Sequence, residues 1–365
     1  MKTIIAIPDF TRDAHLKKVL PLALKRLKSL KDVEIIIATG LHRAPTKKEI
    51  KKNLGKIASK VKISAHNYRK NSVTSFGKTK KGIPIYLNKK LKMADEIITI
   101  GVVEPHLYAG YSGGTKVVAI GLAGEQTINA THHPRFLDHP ATRICSIKGN
   151  TFRNLIHEVS SLLPIKHSIN IINDKNGRLL KVFQGSWKGS FKEAVKYSQK
   201  IFERKINSEF EVIISDVPKE KAVNMYQASR VFNYIANTRR NILKDNSLIL
   251  VKAGLEEGFG KGLGEKRFRD TMLKMKGPKK LINTIKKKGC LAGEHRAYMV
   301  AKAMLKARLG FISKDADIYK KMGLPFLFFK TQKEVALFIR TYFKKQPKIY
   351  YLKNAFNDIL IKNRG

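Results

Sequence analysis

The chain has 365 residues, 43% of them hydrophobic, with 73 Lys plus Arg against 28 Asp plus Glu and a formal net charge of +45. That length suits two domains, the apolar content excludes a disordered chain, and no apolar run approaches the roughly 18 residues a membrane span needs. Two cysteines, Cys145 and Cys290, exclude a disulfide framework and a zinc motif, so a cytoplasmic protein is expected. The opening "TIIAIP" (3–8) reads as a first strand rather than a signal peptide, and "HLKKVLPLALKRLKSL" (15–30) as an amphipathic helix. Strands follow at "VEIIIAT" (33–39), "EIITIGVV" (96–103) and "SINIIND" (168–174), then a helix at "SFKEAVKYSQKIFERKI" (190–206). The second half repeats the alternation with strands at "FEVIISD" (210–216), "SLILVKA" (247–253) and "PFLFF" (325–329), and the tail over 347–363 reads as two short strands joined by a turn.

Strand–helix alternation with near-continuous apolar strands predicts an α/β fold of two domains with mainly parallel, Rossmann-like sheets and an active-site cleft between them. The expected division is residues 1–206 as an N-terminal cofactor-binding and catalytic domain and 207–346 as a C-terminal domain closing the cleft. The tail, 347–365, is expected to return to the first domain. The positive charge is spread along the whole chain without an aromatic-interleaved motif. It reads as a Lys-rich surface that draws anionic small molecules, with no membrane and no specific nucleic acid expected as partners. A basic nucleic-acid-binding protein stays as an alternative.

Polar chemistry recurs where strands stop. "DFTR", "LHRAPT", "EPHLYAGYSGGTK", "MYQASR" and "LEEGFGKGLG" each follow an apolar run, and ligands of parallel α/β sheets bind outside the carboxyl ends of strands. In "YSGGTK", Ser112, Gly113 and Gly114 either present backbone N–H groups to an anion or simply turn the chain. Lys116 can pair with phosphate, act as a nucleophile if its amine is kept neutral, or stand solvated; the P-loop spacing is absent. His42 and His106 close two strands, and can serve as acid and base on opposite faces of one ligand or be ordinary loop imidazoles. His132 and His133 suit a transition metal, yet no partner motif completes a protein-only site, so a metal there needs ligands from a cofactor. Asp9 and Thr11 can cap a helix, and Arg12 can fork onto a carboxylate or phosphate. Tyr226 and Arg230, with Gln227 between them, lie one helical turn apart and can face one ligand.

Taken in order, "DFTR", "ATGLHRAPT", "GVVEPHLYAGYSGGTK", "INATHHPRF" and "NMYQASR" resemble the nickel-dependent lactate racemase family over most of the chain. The resemblance implies an isomerase, a racemase or epimerase that inverts C2 of a 2-hydroxy acid by reversible hydride transfer through a 2-oxo acid. It implies nickel held in a pincer nucleotide, a pyridinium thioamide/thiocarboxylate mononucleotide attached to Lys116, with His132 as the protein's metal ligand. His42 and His106 would then be the acid–base pair. Asp9, Thr11, Ser112, Gly113 and Gly114 would contact the cofactor, and Arg12, Tyr226, Gln227 and Arg230 the substrate. The implied partners are a small 2-hydroxy acid and the proteins that build the cofactor.

The sequence departs from the family's pattern at Arg230, where the motif "YQAxK" has Lys, and at His295 in "EHRAY", where an aromatic residue is expected. A planar guanidinium holds a carboxylate differently from an ammonium, so a hydroxy acid other than lactate is an alternative substrate. The alternative enzyme class is a nucleotide- or phosphosugar-binding enzyme without nickel.

Overall fold

Isoleucine runs build the centre of the first unit. The computed structural model describes residues 1–363 and divides into two units, Met1–Thr131 with Ile147–Phe202, and His132–Ser146 with Glu203–Gly365. In the first unit a six-stranded sheet runs in the order Leu179–Gly185, Ile165–Asn173, Glu96–Val102, Thr3–Pro8, Val33–Ala38 and Lys62–Ala65. All neighbours are parallel except the first pair. Ile5, Ile7, Ile35, Ile37, Ile98 and Ile100 are wholly buried, as expected for strands covered on both faces. The strands at 62–65 and 179–185, absent from the sequence reading, are the two sheet edges; the first is only four residues long, and the second mixes half-buried residues with exposed Leu180, Lys181 and Gln184.

The first helix covers Leu16–Leu24 rather than the predicted 15–30, with Pro21 inside it. Proline has no N–H to continue the ladder, and the chain beyond closes through short bonds such as Leu27 N–H to the Leu24 carbonyl. The later helix is Trp187–Phe202; Glu203–Ile206, read from sequence as its end, is instead a strand pairing with Ile359–Lys362.

The second unit holds a five-stranded, wholly parallel sheet in the order Leu327–Phe329, Ala307–Ile312, Leu243–Lys252, Phe210–Asp216, Ile349–Leu352. This corrects the expected domain plan. The two tail strands exist, but they pair with Phe210–Asp216 and Glu203–Ile206 and so belong to the second unit. The open edge of the 210–216 strand is what captures the first of them, Ile349–Leu352, since its N–H and C=O groups need a ladder. Residues 132–146, expected in the first domain, also belong to the second unit. There Asp138 accepts from the Tyr298 hydroxyl at 2.7 Å and from the Lys302 ammonium at 2.6 Å. No helix among the described residues is long and apolar enough to cross a membrane.

Candidate functional site

The order of the first sheet explains why three of the singled-out loops meet. Thr3–Pro8 and Glu96–Val102 are neighbours, and the chain leaves them in opposite directions across the sheet. Their carboxyl ends therefore form the switch point at which parallel sheets open a crevice. "DFTR" follows one strand and "EPHLYAGYSGGTK" the other. Two contacts tie these loops together: the Arg12 guanidinium pairs with Glu104 at 2.7 Å, and His42, from the next strand, bonds Asp9 at 2.6 Å.

The two imidazoles are held differently. His42 Nδ1 faces the Asp9 carboxylate, which also accepts from the Thr11 hydroxyl at 2.6 Å. Burial works to raise the Asp9 carboxyl, but the hydrogen bond and charge of His42, then Thr11 and Arg12, outweigh it and keep it below the usual range. An ionised Asp9 places the proton on His42 Nδ1 and leaves the lone pair on Nε2, out in the exposed part of the ring. His106 is the reverse. Its Nδ1 accepts the backbone N–H groups of Tyr108 and Ala109, both at 3.2 Å, so its proton sits on Nε2. Phe152 stacks on the ring with centroids 6.5 Å apart, and Tyr108 meets its edge at 5.9 Å. Asp9, expected at the cofactor, is thus engaged by His42; Arg12, expected at the substrate, is paired with Glu104.

Lys116 begins a four-residue helix, Lys116–Ala119. Its side chain is half-buried, and its amine is pulled down to about 7, first by desolvation and then by Arg12 and Arg153, against the opposing pull of Glu104 and Asp9. The glycines before it are structural as well as permissive. Gly113 and Gly114 have φ of 75° and 56°, and a Cβ on Gly113 would fall 2.3 Å from Val103 Cγ2. Gly114 N–H donates to Asn170 Oδ1 at 2.7 Å, and the buried Ser112 hydroxyl donates to the Val102 carbonyl at 2.7 Å. These groups, expected to face the cofactor, are occupied in shaping the loop.

Arg153 was not foreseen. It is 1% exposed, donates to the Ala109 carbonyl at 3.2 Å and to the Tyr111 carbonyl, and lies 4.4 Å from the Phe191 ring centroid. Asn150, which caps the same helix, donates to the Tyr108 carbonyl at 2.8 Å. Neither residue has a sequence signature, because each matters only through a backbone some forty residues away.

Within the second unit, Met225–Ala228 and Arg230–Ala236 are helical and Ser229 keeps right-handed helical angles between them. Tyr226 and Arg230 therefore share a face, as their spacing requires. Arg230 Nη1 reaches Gln227 Oε1 at 3.4 Å, and its guanidinium lies 5.2 Å from the Phe356 ring centroid. His132 meets His295 with ring centroids 4.9 Å apart. Burial, then His132 and Arg296, holds His295 far below the usual imidazole range. His133 differs from its neighbour: its Nδ1 accepts Arg135 N–H at 3.2 Å and caps the next turn.

A half-buried amine whose titration is lowered to about 7, flanked by Arg12 and Arg153, fits a covalently tethered, anionic group. No cluster of three or more His, Cys, Asp or Glu side chains stands ready for a metal among the described residues.

Residues 1–144 match the family model described as the lactate racemase N-terminal domain. The chain is 27% identical over 274 residues to lactate racemase of Lactiplantibacillus plantarum, a match covering 70% of this chain and 61% of that protein. It is 24% identical over 329 residues to lactate racemase of Thermoanaerobacterium thermosaccharolyticum, covering 87% and 75%. The fold superposes on the lactate racemase apoprotein of that organism with a TM-score of 0.88 at 22% identity, over 99% of this chain and 87% of the other. A Thermotoga maritima protein gives 0.74 at 16%, over 99% and 94%. Motif order, switch-point chemistry and these likenesses agree: residues 1–144 match the lactate racemase N-terminal domain, and the chain is similar to lactate racemases over most of its length.

Proposed function

We propose that the protein is a racemase or epimerase that inverts C2 of a 2-hydroxy acid, with a nickel-pincer nucleotide attached to Lys116 and its nickel held by His132. When bound, that group supplies a reversible acceptor for the hydrogen and electron pair at C2. The observation that carries the reading is the opposed tautomers of His42 and His106. One presents a bare Nε2, the other an Nε2–H.

Inversion requires this opposition. His42 Nε2 accepts the hydroxyl proton as the C2 hydrogen departs, and the buried Asp9 carboxylate stabilises the imidazolium that forms. The flat 2-oxo acid then takes its oxygen proton from His106 Nε2–H as the hydrogen returns to the other face, and exchange with solvent carries the proton from the His42 imidazolium back to the His106 ring, so both histidines end as they began. In the reverse direction the two residues exchange roles. Lys116, whose amine is lowered to about 7 and so is substantially unprotonated near neutral pH, is the attachment point. Tyr226, Gln227 and Arg230 are assigned to the substrate carboxylate, which prevents loss of the 2-oxo acid between half-reactions.

The test is to produce the protein together with cofactor-building proteins and incubate it with enantiopure 2-hydroxy acids, following C2 by chiral chromatography. Inversion of at least one acid, with a mass adduct on Lys116 that Lys116→Ala abolishes, is expected. A complete adduct with no inversion of any hydroxy acid overturns the reading. A tightly bound nucleotide with unmodified Lys116 favours the non-nickel enzyme instead.

A further inference from the structure

The interior of the second unit contains guanidinium groups that the protein itself does not satisfy. Arg296, in the first turn of the helix Glu294–Met304, is 8% exposed, and its Nε and Nη1 are buried with no hydrogen-bond partner. Arg230 Nε is buried and unpartnered as well, and so is Asn233 Nδ2. Tyr226, Arg230 and Asn233 stand at i, i+4 and i+7 and so form one stripe of the 225–236 helical stretch. The helix Glu294–Met304 packs against Arg230–Ala236, and the Arg296 guanidinium lies 5.1 Å from the Tyr226 ring centroid. Four unsatisfied N–H-bearing atoms from three side chains therefore gather about one helix face.

Among the described residues, neither Arg230 nor Arg296 forms an ion pair. The acids of these elements have other partners. Glu265 takes Gly262 N–H at 2.7 Å, Glu294 takes Lys288 at 3.1 Å and Leu291 N–H at 2.8 Å, and Asp138 takes Tyr298, Lys286 and Lys302. Arg230 has one acceptor, Gln227 Oε1, but buried guanidinium N–H groups without a counter-ion or an acceptor, as at Arg296 Nε and Nη1 and Arg230 Nε, are costly, and their persistence points to a ligand that supplies both. The chemistry is that of carboxylates. Each planar fork accepts one carboxylate edge-on, and two forks call for two. The half-exposed Tyr226 ring covers Arg296, so ligand entry turns that ring aside.

We propose that Arg296, Arg230 and Asn233 form a two-carboxylate site and that the preferred substrate is a 2-hydroxy acid with a second carboxylate. This rests on the 2-hydroxy-acid reading above, so the first arm of the test does not require turnover. Succinate has both carboxylates and no hydroxyl group. Its binding to the purified full-length chain is measured by calorimetry beside lactate and inorganic phosphate, at about 0.15 M salt so that exposed lysines are screened. Succinate is expected to bind roughly 10-fold or more tighter than lactate, and Arg296→Met to weaken succinate by roughly 10- to 100-fold, the worth of a charge-assisted pair. Arg296→Lys keeps the charge without the fork and guards against a variant that fails to fold; it too is expected to lose the preference over lactate. Equal binding of succinate and lactate, unchanged succinate binding in both variants, or tighter binding of phosphate than of succinate each overturns the proposal. In the second arm, the cofactor-loaded protein is offered lactate and 2-hydroxysuccinate. Succinate selectivity with no inversion of either acid keeps the site and overturns the racemase reading. Faster inversion of lactate keeps that reading and overturns the site's role.

Discussion

His42 and His106 differ in what their Nδ1 atoms do, and that difference sets what each can be asked. Replacing either with Ala should lower racemisation by about 10²–10⁴-fold, the usual worth of a positioned acid or base, in initial rates from each enantiomer. Asp9→Asn leaves the shape but removes the charge that fixes the His42 tautomer. It should lower kcat/KM by the same factor in both directions, since the equilibrium constant of the inversion is fixed, read in the same assay. Lys116 offers a cleaner measurement. Its amine should react with an acylating probe with a midpoint near pH 7, followed by peptide mass spectrometry, whereas exposed lysines should titrate near their ordinary range. Arg153→Met removes one of the two guanidinium groups that depress this amine, so the midpoint should rise. An unchanged midpoint in a folded variant would show that Arg153 does not contribute and that desolvation and Arg12 set it.

The element that most shapes the catalytic loop is the helix Thr151–Ser161, although none of its residues belongs to a motif. Its cap, Asn150, accepts Arg153 N–H at 3.0 Å and donates to Tyr108, and Arg153 braces Ala109 and Tyr111. Asn150→Ala removes a helix cap and a buried hydrogen bond together, so about 1.5–3 kcal/mol of stability should be lost in denaturant titration. Asn150→Asp keeps the cap acceptor and loses only the donor, so it should cost less. The second sheet shows the same dependence on distant chain. The strand Phe210–Asp216 carries Leu243–Lys252 on one side, and the tail strand Ile349–Leu352 completes the other.

For the molecule as a whole, burying the Lys116 amine links folding to pH. An unfolded lysine titrates near 10.4, so between about pH 7 and that value the unfolded chain holds the proton that the folded one has released. Stability should therefore rise with pH through this window from Lys116 alone, and below about 7 the cost of charging the buried amine is present in full. Comparing wild type with Lys116→Met in denaturant titrations between pH 6 and 10 isolates the effect, since other groups contribute to both. A constant difference across the range would mean the amine is not desolvated. The +45 charge acts on a longer scale. It should accelerate the encounter with anionic hydroxy acids at low salt and lose that effect as salt is raised.

The sequence alone determined the α/β class, most of the sheet strands and the chemistry at their ends, because long buried strands need apolar runs and unusual residues stand out beside them; the interior strand Ala307–Ile312, interrupted by Arg308 and Gly310, went unread. The run "EPHLYAGYSGGTK" declared both an imidazole and a lysine at one strand end. It could not declare that Asp9 would orient His42, that the glycines would be filled by Val103 and Phe191, or that Ser112 would turn inward. The edge strands Lys62–Ala65 and Leu179–Gly185 escaped notice because the first is only four residues long and the second mixes apolar with polar residues. The tail was seen as strands but assigned to the wrong unit, since a strand's own residues say little about which edge will receive it. Arg153 and Arg296 were ordinary basic residues among 73. Only tertiary structure singled them out, by burying their guanidinium groups, and burial is a property of what packs around a side chain and not of the side chain itself.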